Sequence, residues 1–570
     1  MKFPTAREGL GWMTIPEMLQ RSGTIYKDEI ALQMRRGGGW VKFTYGEMFD
    51  RVKKIAMYMR EVGIKKGDRV SVLGENRPEW AISYLAAAWT GAIIVPIDAR
   101  LSVSEMRHIM DDAEVKLLIA SKSFKDDILE IKDDIPSLET IICMDDDDTC
   151  DNLPDIWKKY DPLEEAPDVT LDDLAVILYT SGTTGTSKGV MLTHKNIMSN
   201  VDSIYQLIDY GPGDTFFSIL PLHHVFEATA GFLAPLYGGA RIVYARSLKP
   251  NEMREDMYAT KPTIFLVVPL LLEKIVNAIH RELRKAPAYK KGLFKGLKGI
   301  SKLTGKKGRE ILFRSIREKT GMGHAKYIIS GGAKLPEWIS REMEELGFPV
   351  LQGYGLSETA PVLTVNPPCC PRNKSAGLPI PNVELKIIDP NDEGVGEIAA
   401  KGPNVMPGYY KKPEETKKVF TPDGWFLTGD LGYLDKDGYL YITGRAKSVI
   451  VTKGGKNIYP EEVEGVLSQS PYIEEILVLQ GVNPKTGTEE IQAIVYPNYD
   501  NVDKYFKEKG IKEPKEEDVY NLIKKEIEEY SKQLADYKRP KRFTLRDEPF
   551  PKTTTNKIKR YLFEKKAMEL

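Results

Sequence analysis

A chain of 570 residues exceeds what one hydrophobic core fills, so several structural units are expected. Its 81 Lys and Arg against 82 Asp and Glu leave a formal charge of -1, which excludes a globally basic nucleic-acid binder and confines any basic surface to a local segment. Hydrophobic residues at 42% are enough for ordinary cores, and four cysteines without CxxC spacing speak for reduced thiols rather than a zinc or disulfide framework.

The amino terminus MKFPTAREGLGWMTIPEML (1–19) scatters charges where an export signal needs an apolar core. The longest nearly apolar run, YLAAAWTGAIIVPI (84–97), is shorter than the roughly 20 residues that span a bilayer. A cytoplasmic protein is expected, with peripheral membrane contact left open. Short β-branched runs then alternate with helical ones: RVSVLG (69–74), PEWAISYLAAAWTGA (78–92), IIVPID (93–98), SVSEMRHIMDDA (102–113), KLLIA (116–120) and TIICMD (140–145). Parallel strands buried between helices are written this way, and ligands of such sheets gather at the strands' carboxyl ends. The acid run at 145–148 reads as a solvated loop.

The apolar run LAVILY (174–179) leads into YTSGTTGTSKGVMLTH (179–194). Ser181, Thr183, Thr184, Thr186 and Ser187 place hydroxyls around Gly182, Gly185 and Gly189, with Lys188 among them. Glycine lets backbone N–H groups close on an anion, hydroxyls add donors, and the lysine supplies a point charge against a polyphosphate. The Walker spacing cannot be laid over it, so this is a phosphate cradle of another type. LPLHHVFE (220–227) holds the one His-His pair; it does not match HExxH, and a buried structural histidine is the reading from residues alone.

A second alternating block, RIVYA (241–245), TIFLVVP (263–269), AKYIISGG (325–332) and PVLQGYG (349–355), runs on to about Glu358. Within it, segment 281–309 carries eleven Lys and Arg against Glu282 alone, a net charge of plus ten. Phe294, Leu297, Ile300 and Leu303 recur there at near-helical spacing, which suits a stripe packed on the body or one laid on an anionic membrane. In QGYGLSETA (352–360), Tyr354 can stack on a purine, Ser357 can donate to a phosphate oxygen and Glu358 can hold Mg2+ jointly with phosphates, a strand-ending turn with a surface Glu being the other reading of the same residues.

The stretches NVELKIID (382–389), GEIAAKG (396–402) and GWFLTGDLGYLDKDGYLYITG (424–444), with their Asp-Gly turns, predict a small barrel or distorted sheet. Asp430 and Arg445 read from the residues alone as a solvated turn Asp and a surface Arg, though such a carboxylate can accept from two neighbouring hydroxyls and such an arginine can reach a ribose or phosphate. Beyond Gly444 the text is an α/β mixture with a Lys/Glu-rich helix near 516–534.

With these motifs in order, 179–194 resembles the phosphate loop of the AMP-forming acyl- and aryl-CoA ligases, the adenylating superfamily that includes luciferases and nonribosomal adenylation domains. The likeness runs from FTYGEM (43–48) through NKIKR (556–560) and is closest in appearance to long-chain fatty acid CoA ligases. It implies an α/β protein: a large N-terminal domain (1–444) of stacked α/β subdomains plus a small β-barrel-like subdomain, a hinge at 445–448 with Lys447 as pivot, and a small mobile α+β C-terminal domain (449–570). It implies ATP-dependent conversion of a medium- to long-chain fatty acid through acyl-AMP to acyl-CoA, with an aryl-acid or other carboxylic-acid ligase as the alternative.

By the same resemblance, Thr180, Ser181, Gly182, Thr183, Thr184, Gly185 and Lys188 surround the phosphates. Gly332 of SGGAKL (330–335), Tyr354, Gly355, Ser357, Asp430, Arg445 and Lys557 contact the nucleotide, and Glu358 with Thr184 holds Mg2+. Catalysis falls to Lys557, Glu358, Lys188 and His224, with His224 gating the carboxylate site and Phe226 near the acyl pocket. Two departures stand out. Asn556 replaces the usual glycine before Lys557, and TKGGKNIYPEEVE (452–464) is one residue longer than the usual spacing, leaving Gly454 or Gly455 as the loop glycine. The implied partners are a fatty acid, ATP and CoA, with no nucleic acid; the oligomeric state stays open, a homodimer being one option.

Overall fold

The predicted alternation is realised strand for strand in the computed structural model, which describes residues 4–180, 187–451, 457–482, 489–511, 513–552 and 558–564. Strands Arg69–Leu73, Ile93–Ile97, Val115–Ala120 and Thr140–Cys143 pair in parallel. Helix Pro78–Trp89 is buried along its whole length, which explains a text too apolar for a one-sided helix. Helices Tyr45–Glu61 and Val103–Asp112 start on capping boxes, Thr44 with Glu47 and Ser102 with Glu105, so their first N–H groups are satisfied locally.

The chain forms two compact units. One comprises Met1–Lys386, Ala400–Leu427 and Asp435–Tyr441; the other comprises Ile387–Ala399, Thr428–Leu434 and Ile442–Leu570. The larger unit holds two sheets. The eight-stranded one runs in the order Gly408–Tyr409, Lys188–Thr193, Leu174–Thr180, Ile93–Ile97, Arg69–Leu73, Val115–Ala120, Thr140–Cys143, Asp151–Asn152. The nine-stranded one places Val362–Val365, Val350–Gly355, Tyr327–Ser330, Ile264–Val267 and Thr215–Ser218 side by side. Four of these five are parallel, Val362–Val365 returning antiparallel, so their carboxyl ends share an edge.

The smaller unit is built on strands Ile473–Val482, Glu489–Pro497 and Arg542–Leu545. Helices Pro460–Leu467, Tyr499–Glu508 and Glu516–Ser531 supply the other half of its core, where Val463, Val478, Val495, Val502 and Ile523 are buried together.

Two local expectations are corrected. The acid run at 145–148 is not simply solvated: Arg77 reaches Asp145 at 2.8 Å, and Lys125 Nζ lies 2.9 Å from both oxygens of buried Asp147. The strand Thr140–Cys143 delivers these carboxylates against cations that its sequence neighbours do not reveal. The basic segment's stripe also splits, because Phe294 and Leu297 pack on the core while Ile300 and Leu303 stay exposed. Among the described residues no helix is long and apolar enough to cross a membrane.

Candidate active site

The strand Leu174–Thr180 turns back antiparallel as Lys188–Thr193, pairing Thr180 with Lys188. Gly189 permits the approach, since a Cβ there would lie 2.9 Å from Ile177 Cγ2 and 3.2 Å from the Tyr179 ring. Lys188 Nζ stands 2.7 Å from Glu415 Oε2 and 5.2 Å from the centre of the Tyr409 ring. Lys188, then Lys418, holds the Glu415 carboxyl down at about 2, so it is a persistent anion. Ser181, Gly182, Thr183, Thr184 and Gly185 lie outside the described residues.

Glu358 sits in the short turn Ser357–Thr359 that follows the strand Val350–Gly355. Gly355 is obligatory, because a Cβ there would fall 1.8 Å from Pro361 O. Two buried asparagines fix the turn from below: Asn404 Nδ2 donates to Thr359 O and Val362 O at 2.9 and 3.0 Å, and Asn200 Nδ2 donates to the same oxygens at 3.3 and 2.9 Å. Glu358 Oε1 accepts from Tyr409 OH at 2.9 Å. Burial first, and then the Glu358 charge, push the Tyr409 hydroxyl's pKa well up, which keeps it a donor.

No basic side chain of the described residues lies within 4.0 Å of Glu358. A carboxylate oriented through one oxygen, with no cation of the described residues on it, fits the hard-oxygen preference of Mg2+. Thr184, the other residue expected to hold that ion, is outside the described residues. At the same strand edge Ser330 pairs with Gln352, and Ser330 Oγ and Gln352 Oε1 are buried with no partner among the described residues. Unpaired buried polar atoms at the carboxyl ends of parallel strands mark a ligand-binding edge.

The His223–His224 turn is clamped by Asn76, whose Oδ1 accepts from Leu222 N at 3.0 Å and whose amide donates to Leu220 O and Ser218 Oγ. The two histidines differ. His223 Nε2 lies 3.2 Å from Asp98 Oδ2; although burial works the other way, His223 and Arg100 hold the Asp98 carboxyl well below the usual carboxylate range. His224 Nδ1 accepts from Phe226 N at 3.3 Å, which leaves the neutral ring's proton on Nε2. Phe226 lies against Gly331, where a Cβ would come within 3.0 Å of its ring, so this turn and SGGAKL are neighbours. Gly332 follows at φ +81, in the left-handed region. Next to the turn, Glu227 is fully buried at the head of a π-helical segment, Glu227–Leu233, and burial pushes its carboxyl up to about 8 against a hydrogen bond from Ser218.

In the smaller unit, Arg445 Nε lies 3.0 Å from Oδ1 of buried Asp430. Asp430 N donates to Thr428 Oγ1 at 3.1 Å, and Gly429 turns at φ 71 with its N–H on Glu397 Oε1 at 3.0 Å. Lys447 is exposed in the turn Ala446–Ser448. Lys557, Gly454 and Gly455 lie outside the described residues. The flanks of Lys557 are anchored: Lys552 pairs with Glu475, while Arg560 pairs with Glu464 at 2.8 and 3.0 Å and donates to Val478 O at 2.7 Å.

Sequence reasoning missed Tyr409, Glu415, Asn200, Asn404 and Asp98. A two-residue strand such as Gly408–Tyr409 has no period to read, and the asparagines act from distant elements. Among the described residues one cluster offers three metal-ligand atoms within 4.8 Å of one another, Cys143, Asp147 and Cys150, but Lys125 already places its ammonium on both Asp147 oxygens.

A family model described as AMP-binding enzyme matches residues 19–410. A long-chain-fatty-acid–CoA ligase of Rattus norvegicus, ACSBG2, is 30% identical over 503 residues, covering 82% of this chain and 75% of that protein. A feruloyl-CoA synthase of an Amycolatopsis species is 29% identical over 478 residues, covering 82% and 86%. Among solved structures, ATP-bound MatB from Rhodopseudomonas palustris superposes with a TM-score of 0.77 at 27% identity, over 97% of this chain and 99% of that one. The glycine-hydroxyl stretch, the strand-edge carboxylate and a family model that spans more than two thirds of the sequence agree, and this chain belongs to the AMP-binding enzyme family, the adenylating superfamily.

Proposed function

We propose that this protein is an adenylate-forming acid–CoA ligase acting on medium- to long-chain fatty acids. The observation that carries the adenylating half is Glu358, a carboxylate oriented by Tyr409 at the carboxyl end of a parallel sheet, on the same unit as Lys188. The fatty substrate is supported by the ligase of Rattus norvegicus, 30% identical across most of both chains.

In the first half-reaction a carboxylate oxygen of the acid attacks the α-phosphorus of ATP. The new C–O–P linkage forms as the bond to the β,γ-diphosphate breaks, giving acyl-AMP and pyrophosphate. The obstacle is two anions meeting, so positive charge and fixed donors must face the phosphates. Lys188 exchanges Glu415 for the departing diphosphate, and the hydroxyls of 180–187 add donors. Glu358 is the residue to hold Mg2+, which when bound with ATP neutralises phosphate charge. Tyr354 stacks on the base, Asp430 accepts from the ribose hydroxyls, Arg445 sits beside it, and Lys557 offsets charge developing at the α-phosphate. His224, with its proton on Nε2, closes the acid's side of the site. In the second half-reaction the CoA thiolate attacks the acyl carbonyl carbon and AMP leaves. The hinge at 445–448, pivoting at Lys447, lets the segment 449–570 serve both steps.

An aryl acid is the competing substrate, favoured by the feruloyl-CoA synthase at 29% identity. CoA-dependent AMP release across saturated acids of increasing length, with benzoate and ferulate included, separates the two. The highest kcat/KM falls on a saturated acid of medium or long chain if the reading holds; a maximum on an aromatic acid refutes it.

A further inference from the structure

The helix Ala288–Ser301 carries two apolar arcs, of which packing uses one. Facing inward, Phe294 meets Phe313 with ring centroids 5.7 Å apart, Leu297 joins the same core, and Ser301 is fully buried. Lys298 is drawn in with them, 2.5 Å from Glu342 and 3.0 Å from Glu345. These contacts account for the helix's place on the body. They do not account for Tyr289, Leu293, Ile300 and Leu303, which are 70%, 61%, 50% and 89% exposed. Spacings of four and seven residues put Tyr289, Leu293 and Ile300 on one line along the helix, an arc that a globular body does not need, and Leu303 stands in the turn just after Ser301. Ile311, on the neighbouring helix Lys306–Leu312, is 75% exposed. Single exposed apolar residues are ordinary, whereas an aligned set of them is an interaction surface.

Charge decides what the surface meets. Lys290, Lys291, Lys295 and Lys307 are exposed, and among the described residues none has a carboxylate within 4.0 Å. The segment 281–309 holds eleven basic residues against one acid, in a chain whose total is -1. A second copy of this chain is a poor occupant, because a self-complementary contact sets the unpaired lysines of one copy, Lys290, Lys291, Lys295 and Lys307, against those of the other. Nucleic acid would use the lysines and leave the leucine and isoleucine side chains with nothing to bury them. A bilayer with anionic headgroups uses both, since lysines sit at the phosphates while the apolar line enters the boundary between headgroups and acyl chains. The helix has 14 residues, too few to cross and enough to lie flat.

We propose that the helix Ala288–Ser301 and the turn after it dock this protein on an anionic lipid surface, with Tyr289, Leu293, Ile300 and Leu303 inserted and Lys290, Lys291, Lys295 and Lys307 on lipid phosphates. Docking is read without turnover, so it stands or falls apart from the proposed fatty-acid activity. The test is cosedimentation of the full chain with phosphatidylcholine vesicles, with and without phosphatidylglycerol, at low and high salt. The parent protein is expected on the anionic vesicles at low salt and not on pure phosphatidylcholine. Two variants, Lys290→Glu with Lys291→Glu and Lys295→Glu, and Leu293→Gln with Leu303→Gln, should each lose about tenfold or more in vesicle affinity while keeping the parent's thermal midpoint. These positions are exposed, so folding is not at stake. Absence of the parent from anionic vesicles overturns the proposal, as does unchanged binding in either variant. A free protein that is dimeric in sedimentation velocity and becomes monomeric in the leucine variant also overturns it, because the line would then be a contact between copies.

Discussion

Tyr409 donates its hydroxyl to Glu358 Oε1 across 2.9 Å, joining a two-residue edge strand to a turn 51 positions earlier. One hydrogen bond therefore sets the direction of the carboxylate proposed to hold the metal. Tyr409→Phe is expected to lower kcat for acid-dependent adenylation roughly tenfold, the effect of about 1.4 kcal/mol, with little change in KM for the acid. Glu358→Gln should cost about a hundredfold or more. Steady-state pyrophosphate release measures both, and a Tyr409→Phe enzyme equal to the parent shows that Glu358 needs no such support.

Glu415 holds Lys188 at 2.7 Å, so the phosphates must displace a carboxylate to take that lysine. Glu415→Gln removes the competitor and should lower KM for ATP by roughly two- to fivefold, the range of an exposed ion pair, with kcat near the parent's. A higher KM would mean that Glu415 orients Lys188 rather than competing for it.

Two buried groups tilt stability in opposite directions with pH. Burial raises the Glu227 carboxyl from 4.5 to about 8, so folding favours its protonated form; this stability is complete below pH 4.5 and is lost as pH rises through 8. Burial lowers the His194 imidazole from 6.5 to about 4, so its neutral form is favoured and stability is lost as pH falls from 6.5 toward 4. Between pH 6 and pH 8 the Glu227 effect alone is worth roughly 2 to 3 kcal/mol. Thermal midpoints at these two pH values should converge in Glu227→Gln and stay apart in the parent. An equal alkaline decline in both proteins removes Glu227 as its cause.

The proposed pivot separates the two half-reactions. Lys557→Ala is expected to lose about a hundredfold or more in acyl-AMP formation while converting supplied acyl-AMP and CoA to thioester within a few-fold of the parent. Measuring each half-reaction alone gives the answer, and equal losses in both would remove the assignment of Lys557 to adenylation.

The larger sheets were legible because strands buried on both faces write nearly continuous apolar text. Leu174–Thr180 is the clearest case, ending in the glycine-hydroxyl stretch. The basic helix shows the limit. Its composition carries both Phe294 with Leu297 and Tyr289 with Leu293, and periodicity alone does not say which arc the core takes. Tyr409 and Glu358 illustrate a second limit, since a contact across 51 residues leaves no local spacing. The Asp430–Arg445 ion pair is a third case: each residue was singled out for a ligand, and their mutual contact at 3.0 Å emerged from the fold.

The most direct test of the account is exchange of labelled pyrophosphate into ATP by the full chain, offered a panel of organic acids without CoA. The account predicts exchange that depends on both acid and Mg2+, is strongest with a saturated fatty acid, and falls about a hundredfold in Glu358→Gln. Absence of exchange with every acid, from a folded protein that binds ATP, contradicts it.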